Sequence, residues 1–144
     1  MSKPVIAVAS DHAGFELKGI LKAELETQGY SVLDLGTNGP DSVDYPDFGK
    51  AIGDAVAGGQ AAYGVAVCGS GIGISIAANR VPGCRAALVH DALSARLSRL
   101  HNDANVIALG ARLIGVDTAK DCLAVFLNTA FEGGRHARRV AKLA

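Results

Sequence analysis

Short apolar runs alternate with amphipathic stretches from one end of the chain to the other. Val5-Ile6-Ala7-Val8-Ala9 predicts a strand, and Gly14 to Gln28 a helix in which Leu17, Ile20, Leu21 and Leu25 share one face, with Gly29 as its stop. Ser31 to Leu35 predicts a second strand. Pro46 opens a helix with Phe48, Ile52 and Val56 turned inward and Gly58-Gly59 at its end. Ala61 to Val67 is an apolar run ending at Cys68, the third strand, and Ile76 to Arg80 reads as helix. Ala86 to Val89 follows the Pro82-Gly83 turn as a fourth strand. Asp91 caps a helix carrying Leu93, Leu97 and Leu100. Asn105 to Leu109 is a fifth strand, Val116 to Asn128 a helix with Leu123, Phe126 and Leu127, and Arg135 to Leu143 a short terminal helix. Continuous apolar strands in βαβα order predict an α/β fold, a parallel sheet covered by helices on both faces with right-handed crossovers.

Composition narrows this little but usefully. The length of 144 residues fits one domain, 1–144, with room for a core. Eighteen glycines and few aromatics suit closely packed layers, and zero formal charge implies no general attraction to nucleic acid or membrane. Cys68, Cys84 and Cys122 stand too far apart for a zinc pattern or a disulfide framework, and Cys84 and Cys122 read as core residues. With no leader-like segment and no long apolar run, a soluble cytoplasmic protein is expected.

The chemistry concentrates at Cys68-Gly69-Ser70-Gly71-Ile72-Gly73-Ile74-Ser75. A thiol at a strand end, beside a glycine turn that opens a helix, meets backbone N–H groups and the positive end of the helix; both favour thiolate, and the same N–H groups could hold an oxyanion. A buried structural cysteine is the plainer alternative. The turn lacks the lysine of a P-loop. Ile74 stands where a dinucleotide fingerprint needs its last glycine and where a phosphatase loop needs its arginine.

Ligands of open parallel sheets sit beyond the carboxyl ends of the strands. That edge receives Asp11 and His12 after strand one, Cys68 and Ser70 after strand three, His90 and Asp91 after strand four, and Arg112 after strand five. One pocket there could gather a carboxylate, an imidazole, a thiol and a guanidinium. Asp91 is most simply a helix cap, Asp11 a cap or a ligand contact, and Arg112 could be a surface charge. His101, followed by Asn102, ends a helix that runs back toward the amino edge, the wrong side to join Cys68 in one subunit. A catalytic His101 therefore requires a second copy of the chain. Arg135 and Arg139 share a face of the last helix and could fork around a phosphate, or belong to a solvated basic surface. The segment Gly36 to Tyr45 is a loop, over a site mouth or simply on the surface.

Taken together, Ser10 to Gly14, Asp44-Tyr45-Pro46, Cys68 to Gly73, Ser98 to Asn105, Gly110-Ala111-Arg112 and Glu132 to His136 resemble the ribose-5-phosphate isomerase B family, sugar-phosphate isomerases that also include the galactose-6-phosphate isomerase subunits. The resemblance covers almost the whole chain. It implies a Rossmann-like α/β/α sandwich on a five-stranded parallel sheet, and interconversion of ribose 5-phosphate and ribulose 5-phosphate with no metal and no cofactor. Cys68 would be the general base between C2 and C1, because the region where some relatives carry an acidic base reads Ile74-Ser75-Ile76. Ser70 keeps the hydroxyl of a threonine found in many relatives and joins Cys68 and His101 as a catalytic candidate. His101 would open the furanose ring, with Asn102 against substrate; Asp11 would contact sugar hydroxyls and Tyr45 would wall the pocket. His12, Arg135 and Arg139, with Arg112, would cradle phosphate, and Gly69, Gly71 and Gly73 would present N–H groups to an enediolate. A homodimer with shared sites follows, with pairing into tetramers left open.

Other readings have their own discriminators. Within the family, an allose or galactose 6-phosphate isomerase differs in pocket depth. A non-catalytic sugar-phosphate-binding module would not need a thiol base. A cysteine hydrolase or redox protein finds no C-x-x-C and no acyl-substrate signature.

Overall fold

The computed structural model describes residues 3–144. Five strands, β1 (Val5–Ser10), β2 (Ser31–Asp34), β3 (Tyr63–Cys68), β4 (Ala86–Leu88) and β5 (Val106–Gly110), form one all-parallel sheet in the order β2-β1-β3-β5-β4. Six helices connect or flank them: α1 (Phe15–Thr27), α2 (Tyr45–Ala57), α3 (Ile72–Asn79), α4 (Ala92–Asn102), α5 (Val116–Leu127) and α6 (Arg135–Ala141). The expected α/β sandwich is present, with every strand and helix close to its predicted span. The exception is α3, which starts at Ile72 rather than Ile76: Gly71, at φ +77°, turns the chain straight into the helix, so Ile72 and Gly73 already belong to its first turn.

Alternation along the strands separates two unlike cores. Ile6, Val8, Val65, Val67, Ile107 and Leu109 point to one face, under α1, α4 and α5. Ala7, Ala9, Ala66, Cys68, Val106 and Ala108 point to the other, under α2 and α3. Small side chains there let those helices lie close, and the seam between them is tighter still. A Cβ on Gly49 would fall 2.6 Å from that of Ala77, and one on Gly53 would fall 2.8 Å from Val81 Cγ2.

Helix starts follow local chemistry. Pro46 sits in the first turn of α2. The predicted cap of α4 is a full capping box: Ser94 N–H donates to Asp91 Oδ1 at 2.7 Å and Asp91 N–H to Ser94 Oγ at 3.3 Å. On α4 the leucines do not face the core. Ala95, Ser98 and Arg99 are buried there, while Leu93 and Leu97 are exposed.

The loop between β2 and α2 is tied down at both ends. Buried Lys18 donates to Asp34 Oδ1 (2.7 Å) and to Thr37 O (2.6 Å), and Gly36 N–H donates to Asp34. Burial alone would raise the Asp34 carboxyl; the bonds from Lys18 and Gly36 outweigh it and hold it below its usual range. At the far end Val43 N–H donates to His12 Nδ1 at 3.1 Å. None of the described helices is long and apolar enough to cross a membrane.

Candidate active site

The sheet changes direction between β1 and β3: β2 lies on one side of β1, and β3, β5 and β4 on the other. Ligands of open α/β sheets sit at such a switch point, beyond the strand ends. Parallel register brings the residues there together. Ser10 pairs with Val67 and Cys68 with Gly110, so Asp11, Cys68 and Ala111 leave the sheet side by side. Asp11 N–H donates to Val67 O, Ala111 N–H to Cys68 O and Arg112 N–H to Gly69 O, locking the three exits to one another.

A cleft of roughly 540 Å³ opens above them, lined by Asp11, Tyr45, Cys68, Ser70, Ile76 and Arg112 among others. Cys68 is buried, with its Sγ accepting the Gly71 N–H at 3.1 Å. Ser70 Oγ accepts from Ile72 N–H at 3.1 Å, and the buried carboxylate of Asp11 accepts from Gly14 N–H at 3.1 Å, the local turn expected of a residue before a helix. Glycine is required where the backbone crowds in. A Cβ on Gly71 would lie 2.8 Å from the Leu109 carbonyl carbon, one on Gly73 2.5 Å from the Tyr45 ring, and one on Gly110 2.6 Å from Ser70 backbone. Gly69 packs against the Arg112 guanidinium, which therefore belongs to this cleft.

One expectation for this edge needs correcting: His90 and Asp91 follow β4, the outermost strand, and are not among the residues that line the cleft. His12 Nδ1 accepts from the Val43 amide, which ties the ring to the loop before α2. Cys84 and Cys122 are buried and free, as expected of core residues. Burial pushes the thiol of each up to about 11, with neighbouring carboxylates adding to the effect at Cys122.

His101, Asn102 and Arg139 lie elsewhere. With His136, Val140 and Leu143 they line a second cleft of roughly 320 Å³ that shares no residue with the first. Within one chain, then, His101 does not meet Cys68, and the phosphate candidates divide: Arg112 lies with the thiol and Arg139 with His101, while Arg135 stands exposed on the same short helix. His101 stacks on His136 with ring centroids 4.3 Å apart and planes at 18°, and its Nε2 lies 3.9 Å from Glu132 Oε2.

Residues that the sequence reading did not single out hold this second cleft in place. Arg99 is buried, its guanidinium donating to Asp103 Oδ1 (2.9 Å), Ala104 O (2.6 Å) and Thr129 O (3.0 Å), and lying over the Tyr63 ring. It fastens the last turn of α4, and therefore His101, to the body of the fold. Asp103 ends that helix in the left-handed region at φ +46°, which a non-glycine residue seldom adopts. His136 is buried with an unpartnered Nε2. Burial, then the neighbouring His101 and Arg135, hold its imidazole below the usual histidine range. An arginine in a run of helix-forming residues gave no sign of being internal.

An all-parallel α/β sheet with a thiol under a glycine turn at its switch point defines a small-molecule enzyme of the Rossmann-like type. Residues 6–143 match the family model described as Ribose/Galactose Isomerase. The chain is 45% identical to ribose-5-phosphate isomerase B of Escherichia coli over 135 residues, 94% of this chain and 91% of that one. Among solved structures it is similar to ribose-5-phosphate isomerase B of Clostridium thermocellum (TM-score 0.96, 50% identity, covering 96% and 94% of the two chains). It is also similar to the type B ribose 5-phosphate isomerase of Trypanosoma brucei (TM-score 0.94, 39% identity, 99% and 97%). The chain belongs to the ribose/galactose isomerase family.

Proposed function

We propose that this protein, like relatives named ribose-5-phosphate isomerase B, isomerises ribose 5-phosphate, that the product is ribulose 5-phosphate, and that it does so in the cytoplasm as a homodimer with shared sites. The observation that carries the reading is Cys68 in the cleft at the switch point, its Sγ already facing a backbone N–H of the glycine turn. Ile74, Ser75 and Ile76 supply no competing base: Ile74 is buried, Ser75 bonds back to Ile72 O, and Ile76 lines the cleft as an apolar wall.

In the aldose-to-ketose direction, His101 of a second copy relays the anomeric hydroxyl proton to the ring oxygen as the bond from C1 to that oxygen breaks, giving the open-chain aldehyde. Cys68 thiolate takes the proton from C2. The C2–H electrons form the C1–C2 double bond and the carbonyl electrons move onto oxygen. The amides of the turn from Gly69 to Gly73, with the Ser70 hydroxyl, face that negative charge. Cys68 then returns its proton to C1 while the C2 hydroxyl proton passes to the oxyanion on C1, leaving a ketone at C2 and a hydroxyl at C1. Asp11 holds sugar hydroxyls, Tyr45 walls the cleft, and Asn102 contacts substrate beside His101. Arg112 and His12 from one chain, with Arg135 and Arg139 from the other, hold phosphate far from the reacting carbons, where binding energy orients the sugar.

Dimerisation supplies what one chain separates. It is supported by the apolar side chains left outside: Ile72 and Ile76 at the cleft mouth and Leu93 and Leu97 along α4. Isolated apolar surface residues are ordinary, but exposed pairs such as those on α3 and on α4 fit partner surfaces. The test is turnover of ribose 5-phosphate in chelator-containing buffer, beside an aldohexose 6-phosphate. Ketopentose phosphate should form readily. A folded dimer that turned over only the hexose phosphate would replace this reading with the phosphohexose one.

A further inference from the structure

The cleft at the end of α4 holds more ligating chemistry than ring opening requires. His101, Glu132 and His136 each offer one donor atom, and the three atoms lie within 4.8 Å of one another. Glu132 Oε2 stands beside the stacked imidazoles, 3.9 Å from His101 Nε2 and 4.0 Å from His136 Nε2. His136 is 5% exposed, yet its Nε2 has no hydrogen-bond partner. A buried ring nitrogen left unpaired costs free energy unless something meets it.

We infer that His101, Glu132 and His136 form a binding site for a divalent cation of the zinc type, an N₂O donor set suited to a borderline-soft ion rather than to magnesium or calcium. Donors on one tetrahedral zinc ion stand about 3.3 Å apart, given bonds of about 2.0–2.1 Å. The present separations therefore need to contract by less than an ångström between Glu132 and either ring. The stacked rings must also open so that their nitrogens converge. The movable partners are the exposed ones: the His101 and Glu132 side chains are 39% and 51% exposed, whereas His136 is fixed by burial. Glu132 is anchored through its backbone, its N–H donating to Leu100 O at 3.1 Å, so the carboxylate stays beside the helix end that carries His101. The two glycines between Glu132 and α6, both at positive φ, fold the chain back so that Glu132 and His136 share one side.

The consequence for catalysis rests on the ring-opening role proposed above; the site itself does not. An ion held there occupies the His101 imidazole and reversibly inhibits an isomerase that needs no metal. The experiment titrates Zn²⁺ into the intact, chelator-stripped protein against a chromophoric chelator. Co²⁺ serves as a second probe, read by its visible absorption bands. One ion per chain is expected, with dissociation constants in the micromolar range. Glu132→Gln and His136→Gln should each weaken uptake by about tenfold or more, and Cys68→Ser should leave it intact, which separates this site from zinc captured by the thiol. Glu132 is exposed, so its variant tests the site even if His136→Gln folds poorly. Absence of uptake below about 100 μM Zn²⁺, where binding is worth less than about 5.5 kcal/mol, would overturn the inference. So would uptake lost in Cys68→Ser but unchanged in both glutamine variants. Uptake by the glutamine-sensitive site without slowed turnover of ribose 5-phosphate would uphold the site and remove the ring-opening role of His101 instead.

Discussion

The two clefts are built by opposite means. Around Cys68 the geometry is made of backbone: three strand ends locked in register, a glycine turn, and amides that donate to the Cys68 sulfur and the Ser70 hydroxyl. Around His101 it is made of side chains: Arg99 clamping the end of α4, Glu132 reaching alongside two stacked imidazoles, and arginines on a short helix at the edge of the molecule. A backbone-built site holds its shape whatever its side chains become, and is damaged chiefly by added volume. A site built from side chains loses its shape one deletion at a time. In the proposed mechanism proton abstraction, which needs fixed geometry, falls to the first region and ring opening to the second, while both supply phosphate contacts.

That contrast can be broken or sharpened by substitution. The largest effect is expected from Cys68→Ala, a loss of about a thousandfold in turnover with the fold retained, followed as ketopentose phosphate formed and as exchange of the C2 hydrogen with solvent. Turnover near the parent rate would remove the thiol from the mechanism. His101→Asn should cost about a hundredfold on cyclic ribose 5-phosphate and much less on open-chain ribulose 5-phosphate in reverse. Equal losses in the two directions would count against ring opening. Gly71→Ala adds the volume this region cannot accept, at a φ of +77° and against the Leu109 and Gly110 backbone. It should destabilise the protein by about 2–4 kcal/mol and lower turnover together with melting temperature.

Arg99→Met tests the other construction. It leaves Asp103 with Arg85 alone, removes the shared donor from the Ala104 and Thr129 carbonyls, and should cost about 3 kcal/mol of stability. The residual activity of the folded fraction should fall mainly on cyclic substrate, since His101 is what loses its footing. A variant as stable as the parent would show that the clamp is not what holds α4. The smallest effect is expected from Arg135→Ala, about a tenfold rise in KM with kcat nearly unchanged. An unchanged KM would remove it from the phosphate contacts.

Much of this was legible in the sequence, for identifiable reasons. Strand runs such as Val5 to Ala9 are buried on both faces and so read as unbroken apolar stretches, and Cys68 follows one of them directly. The ends of parallel strands share one edge, so Asp11, Cys68 and Arg112 could be placed together from chain order alone. The separation of His101 followed from the return direction of its helix. What could not be read depends on neighbours distant along the chain. The place of β4 outside β5 puts His90 out of reach, and no local pattern records strand order. The exposure of Leu93 and Leu97 contradicts their hydrophobicity until a partner surface is considered. The burial of Arg99 depends on Tyr63, Asp103 and Thr129 being there to receive it.

The unlike faces of the sheet carry a consequence for how the sequence can change over time. Under α1, α4 and α5 the core is filled by Ile, Leu, Val and Phe, residues that can exchange volume with one another. Under α2 and α3 the strands present mostly alanine and glycines seat the helices, which leaves little room to add volume around Ile52, Val56 and Ile74. Saturation mutagenesis should therefore divide the hydrophobic interior in two, a permissive half that drifts by compensating swaps and a nearly frozen half. Cys68 projects from the frozen half.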